Sequence, residues 1–568
     1  MVRPTPVRAF GLLVFVWSMG AIAAPQDSQT HQHHHYAKPD EPPPPGPAGE
    51  LAPRLQNLGA HTFLVGTEVP RAQQFFDQGV RLSYGFNHAE AFRAFEEAAR
   101  LDPHLAMAYW GQALVLGPNI NMPMDPAEEP RAKQLIDRAV ALAEHADERE
   151  RAYIEALTHR YTGLADDRAA ADLAYANAMG ELQRRYPDDL DAATLHAEAL
   201  MDLMPWSYWT RDGQPAPRTN ELIAVLERVL ATDPNHPGAL HLWIHLWEAT
   251  KSPERALAEA DRLLPLMPAA GHLVHMPSHI YYRVGKYAEA ADANRLAIAA
   301  DEDYISQCKA QGIYPLGYYP HNIHFLWSAA MMLGQAEEAV AAADKTAAQI
   351  PAEALAEVPI LQAFLAVPYG ARVRFARWQE LLELPQPAEH HPFLRGLWHH
   401  ARGFALIRLG KLEAADRELA ALRAIVASPT LDEIPATFST NTPSRVLRIA
   451  PEVLAGELAA ARGDFDLAIA HLHRGALYED SLDYIEPPDW HQPVRHSLGA
   501  VLLAAGRAVE AEAVYWEDLR RYPHNGWALF GLAQAMRIQG RDDAAAEIDR
   551  RFERAWKQAD TTLQSSRF

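Results

Sequence analysis

The chain is predicted to be all-α, an array of stacked helical hairpins with loop insertions, and three observations predict it. Leu, Ala, Glu and Arg dominate the length of the chain, and no stretch of strand-like alternation competes with them. Small residues recur at fixed places: Ser278, Gly285, Ala290 and Ala297 sit at places 8, 15, 20 and 27 counted from Gly271. Similar units start 34 residues apart, at Pro237 and Gly271 and again at Gln492 and Gly526. A solenoid also suits 568 residues, because each hairpin packs only on its neighbours and no single oversized core is needed.

These places are the ones a tetratricopeptide repeat (TPR) reserves for small residues, with Tyr281 and Tyr287 filling its aromatic places 11 and 17. The expected architecture is therefore a TPR-like right-handed α-solenoid. Residues 1–23 read as a secretory signal, with Arg3 and Arg8 ahead of an apolar run and Ala21-Ile22-Ala23 as a small-x-small cleavage site. The mature chain is expected in the periplasm or secreted. Cys308 is the only cysteine, so no internal disulfide is available. Residues 24–68 form a His/Pro-rich low-complexity segment and linker, in which His31, His33, His34 and His35 could catch an ion loosely or serve as a solvated spacer. The net charge of −21 argues against nucleic acid or an anionic membrane as partner, and no later window is apolar enough to span one.

Residues 69–235 read as N-terminal repeats. Gly79, Ala91 and Ala98 hold the small places of the first, a second begins around Gly111, and amphipathic helices are expected over 127–161 and 166–185. An irregular aromatic and methionine segment, Met201 to Trp209, could cover a groove mouth or plug two repeats together. Residues 236–345 are the histidine-rich central repeats, interrupted by an insertion at 305–319 whose Gly312, Gly317 and tyrosines suit either a ligand-contacting lid or a surface loop. Residues 346–568 are C-terminal repeats: a pair of short helices over 369–385, then units with Gly403 and Gly410, and Gly499 and Gly506, at places 8 and 15.

The central repeats carry the chemistry. His241 and His245 stand at places 5 and 9 of one unit, His272, His275 and His279 at places 2, 5 and 9 of the next, and His321 and His324 at places 2 and 5 of the third. Seven of nine equivalent slots are histidine, where the composition of 27 histidines in 568 residues would fill fewer than one. Offsets of three and four keep them on one stripe of each first helix. Such helices line the concave face of the superhelix. Two imidazoles so spaced can share an ion, and an imidazole-rich set favours Cu or Zn over Mg or Ca. His241, His275, His279 and His324 are the expected ligands of a central layer, with His245, His272 and His321 outside it or around a second ion. Asp202, Glu248, Asp301, Asp303, Tyr281, Tyr282 and Tyr314 are near in sequence, but no spacing fixes them against the metal.

The motifs HMPSHIYYRVGKY (275–287), YYPHNIHF (318–325), AYWGQALVLGPNIN (108–121) and EPPDWHQPVRHSLG (486–499) resemble those of a poorly characterised family of secreted bacterial TPR-repeat proteins. That resemblance implies fold and export and assigns no role to the histidines. The functional expectation is an exported solenoid that binds Cu or Zn on its concave face and can act on a small substrate. A peptide- or protein-binding scaffold, and a metal carrier without catalysis, are the alternatives.

Overall fold

The computed structural model describes residues 49–162, 167–307, 314–351, 354–434 and 441–568. The signal segment, the His31–His35 tract and residues 308–313 of the insertion lie outside them. Regular structure among the described residues is helical; two isolated bridges, Asn119–Met122 and Trp209–Pro215, are the only extended pairings there. The described residues divide into two compact units, one formed by residues 49–55 together with 61–233, the other by 56–60 together with 234 to the C-terminus.

In the first unit Pro70–Tyr84 pairs with His88–Leu101, and Ala106–Leu114 with Glu129–Ala141. The reason for the repeat glycines is steric. A Cβ at Gly79 or at Gly111 would come within 2.6 Å of the Phe95 ring. Two first helices thus close on one aromatic of the helix between them. Phe63, Phe76, Trp110 and Tyr153 complete that core with ring centroids 5.2–6.5 Å apart. Phe63 is 1% exposed, the backbone N–H of Leu51 donates to Glu97 at 3.0 Å and that of Leu55 to Gln78 at 2.9 Å, so residues 51–55 and the stretch around Phe63 are packed against the unit. The helix expected over 127–161 is two helices, Glu129–Ala141 and Glu148–Thr158. Asp147 breaks it by forming a capping box with Glu150, which satisfies N–H groups that a continuous helix would not leave open. Met201 and Tyr208 are buried within this unit.

The second unit begins with Pro237–Glu248 against Leu257–Leu263. Gly271–His275 and Pro277–Arg283 follow, packed on Tyr287–Gln307, and then Tyr319–Leu333 on Ala336–Ala348. The first helices start where the repeat spacing puts them, and Gly285 and Gly334, at place 15, take φ of +80° and +72° to end them. The hairpins Pro392–Arg408/Leu412–Val426, Ile449–Ala461/Phe465–Asp480, Val494–Ala504/Ala508–Arg521 and Gly526–Ile538/Asp542–Ala555 continue the array. Gly499 and Gly531 both press on Tyr515, repeating the Phe95 device.

This unit turns back on itself. The Trp527 indole N–H donates to the carbonyl of Met331 at 2.9 Å, across 196 residues. The Asp560 carboxylate accepts from the backbone N–H groups of Ala336 and Glu337, capping that helix from the far end of the chain. Gly285 leaves no room for a Cβ against the Pro523 carbonyl. The C-terminal hairpins therefore pack on the histidine-bearing ones.

Candidate metal centre

Six of the seven expected histidines come together in two groups of three. One ligand nitrogen from each of His241, His245 and His272 lies within 4.8 Å of the others, and the same holds for His275, His279 and His321. The groups adjoin: the His272 and His275 rings are 6.0 Å apart, those of His245 and His279 6.3 Å. All are buried except the half-buried His321. His324 is elsewhere. Its ring stacks on Trp327 (13°, 5.0 Å) and meets Phe364 edge-on, so the expected layer of His241, His275, His279 and His324 is not the one that forms. On the third first helix it is place 2, His321, that reaches the cluster, while place 5, His324, meets an aromatic wall. His236 instead caps its own helix, accepting from the N–H of Ala239 at 3.3 Å.

The partners of the rings assign their protons. Asn294 donates its amide N–H to the Ala290 carbonyl (2.8 Å), so its oxygen faces His275 Nδ1 at 2.7 Å and must accept from it. His245 Nδ1–H donates to Glu248 Oε1 at 2.6 Å. His279 Nδ1 lies 2.7 Å from the other Glu248 oxygen and 3.3 Å from Glu486, an ion-pair approach bent away from ideal hydrogen-bond geometry. Both Nδ1 atoms of the His275–His279 pair are thereby committed, and their Nε2 atoms face each other at 2.9 Å. His241 and His245 repeat the contact, Nε2 to Nε2, at 3.0 Å. Two nitrogen ligands at 2.0–2.1 Å and a tetrahedral angle would be separated by about 3.3 Å, so each pair needs to open by only a few tenths of an ångström to hold an ion.

Burial and the neighbouring rings hold His272, His275 and His321 far below the usual imidazole range, which keeps their lone pairs available. Burial lowers His245 as well, with Glu248 opposing. Burial would also lower His279, but Glu248 and Glu486 outweigh it and raise it to about 9. Burial would raise Glu248, yet the His279 and His245 rings hold it well below the ordinary carboxylate range. Glu248 also accepts from the Tyr484 hydroxyl at 3.0 Å.

The described end of the insertion lies on this cluster. Tyr314–Tyr318 makes a π-helical turn; the Tyr318 ring is 4.6 Å from His272, and the Tyr314 hydroxyl accepts from the His272 backbone N–H (3.1 Å) while donating to Asp301 (2.8 Å). Asp301 also accepts from Asn322, and burial pushes its carboxyl up to about 7. A Cβ at Gly271 would overlap the Asp301 carboxylate, which explains a glycine at the start of that helix. The remaining nearby residues are engaged away from the rings. Asp202 pairs with Arg160 in the first unit, Asp303 accepts from Gln307, Tyr281 donates to Asp261, and Tyr282 accepts from Ser328.

Glu248 could have been found from its offset of three from His245. Asn294 and Tyr484 lie outside every motif quoted above, and Glu486 opens EPPDWHQPVRHSLG without any spacing that ties it to the rings, because they reach His275, Glu248 and His279 from another helix and from the loop before Val494.

The chain is a TPR-like array of helical hairpins, with a six-histidine cluster on the first helices of three successive hairpins. No family model and no curated protein matches it. Solved structures that it resembles include the human IFIT1 dimer with m7Gppp-AAAA (12% identity, 86% of this chain and 91% of that one, TM-score 0.32). The Cut9–Hcn1 hetero-tetramer of APC/C (12%, 86% and 90%, 0.29) and the TPR domain of P58(IPK) (12%, 83% and 98%, 0.20) are others. The fold assignment stands on the chain's own helix pairs.

Proposed function

We propose that the second unit binds two transition-metal ions, Cu or Zn, one through His241, His245 and His272 and the other through His275, His279 and His321. The facing of His275 and His279 carries this reading. With both Nδ1–H groups committed, two neutral rings would set lone pairs against each other at 2.9 Å. Only a cation between them, a proton or a metal, relieves that. A proton on His279 serves one pair; six imidazoles with Glu248 joining the two groups suit metal better than a single proton. Glu248 is the carboxylate that orients a ligating imidazole and raises its basicity, here for one ring in each group.

Three donors per ion leave a coordination position for water, dioxygen or a small substrate, so metal-dependent catalysis on a small molecule is the activity the site suits. A peptide groove is less well supported. His400, Phe404, His496 and Trp527, at the places with which a TPR array grips an extended peptide, are all buried. Export by residues 1–23 belongs to the same proposal and is checked by fractionating cells that express the full chain.

The decisive experiment is elemental analysis of protein lacking residues 24–50, which removes the His31–His35 tract. Two equivalents of metal per chain are expected after reconstitution. The His275→Ala/His279→Ala variant is expected to retain at most one, with unchanged far-ultraviolet dichroism. Metal-free protein after reconstitution, or full retention by the double variant, overturns the proposal.

A further inference from the structure

A second constellation of histidines lies apart from the six. His324, His400 and His491 line a cavity of about 60 Å³ in the second unit, walled by Trp327, Val367, Val373 and Leu397. Burial lowers His400 to about 4 and His324 and His491 to about 3, so all three rings are neutral at pH 7. His400 is 1% exposed and its Nδ1 lies 3.1 Å from the Ala450 carbonyl, which can only accept. The proton is therefore on Nδ1, and Nε2 across the ring is a bare acceptor with no hydrogen-bond partner among the described residues. His491 Nε2 also has none among them. The single carboxylate on the wall, Asp489, accepts from the Asn441 amide at 2.8 Å.

We propose that this cavity binds a small uncharged alcohol, whose hydroxyl donates to His400 Nε2 and whose short alkyl body lies against Trp327 and Val373. Each feature of the ligand follows from the wall. A buried acceptor without a donor is costly, so the ligand must bring an N–H or O–H. Neutral rings and a nearby carboxylate offer nothing to an anion. A metal cation has no chelating set here, because the ring nitrogens of His324, His400 and His491 are not among the ligand groups that converge among the described residues, and Asp489 is engaged. Its enclosed volume suits a short chain: a cavity of about 150 Å³ takes benzene, and this one is less than half that. Water alone could fill it, but water gains little from the apolar side, where an alkyl group removes apolar surface from solvent. His324 follows His321 by three residues, about 4.5 Å of helix rise, so the ligand would sit one turn from the second histidine group. The inference does not depend on metal at that group.

The test uses the full chain and 2,2,2-trifluoroethanol, read by fluorine line broadening. Broadening is expected, with displacement by 1-propanol and at least tenfold weaker displacement by 1-chloropropane, which has the shape without the donor. His400→Leu is expected to abolish the broadening. Should that variant fail to fold, Ala366→Leu, which fills the cavity from another wall, is expected to abolish it instead. The chelator-treated chain is expected to behave as the untreated one, so loss of the metal proposal would leave this result standing. No broadening, equal displacement by the chloride, or full broadening with a folded His400→Leu or Ala366→Leu variant overturns the inference.

Discussion

At the scale of single residues, Glu248 is where the two histidine groups meet. Its carboxylate is fully buried and faces the Nδ1 atoms of His245 and His279 with one oxygen each. A carboxylate can accept from both. An amide cannot, because its NH2 would oppose one Nδ1–H. Glu248→Gln is therefore expected to weaken metal binding at both groups, by about 10–100-fold, as loss of a carboxylate behind a ligating imidazole does. Competition titration against a chromophoric chelator reads it; an unchanged affinity would separate Glu248 from the metal. The histidines themselves were legible, since an i, i+4 pair on a first helix is a local pattern. Their grouping was not, because it depends on how far one helix is rotated against the next.

At the scale of elements, the hairpins owe their close packing to glycines that make room for a neighbour's aromatic ring. Gly79 and Gly111 bracket Phe95 in the first unit, and Gly499 and Gly531 bracket Tyr515 in the second. Gly79→Ala places a Cβ 2.6 Å from the Phe95 ring, which is itself fully buried and walled by Phe76. Overpacking of that kind is expected to cost about 1–3 kcal/mol despite alanine's better helix propensity. Chemical denaturation followed by dichroism measures it. An alanine variant as stable as the parent would show that the hairpins can part without penalty. These glycines were visible as repeat places in the sequence; the ring each one admits was not.

At the scale of the whole molecule, many histidines are folded away uncharged, and this sets a pH dependence. Burial lowers His196 to about 4, His400 to about 4 and His491 to about 3, against an ordinary value of 6.5. At these three sites the unfolded chain binds more protons than the folded one between these limits, while Asp301, raised by burial to about 7, and Glu479, raised to about 8, act in the opposite sense. The stability that the three histidines contribute is thus fully present above about pH 6.5 and is lost as pH falls toward 4, at up to about 1.4 kcal/mol per pH unit for each histidine. Thermal unfolding of chelator-treated protein is expected to lose more stability from pH 7 to pH 4 than it would without these rings. The His196→Gln/His400→Gln variant is expected to flatten that slope. A parent slope no steeper than the variant's would show that these rings do not govern it.

What the sequence determined by itself is what local chemistry encodes. Helix periodicity, glycines at fixed places and the 34-residue spacing set the all-α hairpin array, and histidines at offsets of three and four marked the helices that carry the cluster. Tertiary structure alone decided the rest. It divided six histidines into two groups, sent His324 to an aromatic wall beside His400 and His491, and brought Tyr484 to Glu248 across 236 residues. Contacts at such separation leave no periodic trace in a chain, because they arise from how successive hairpins rotate and from the return of the last hairpins onto the first ones of their unit.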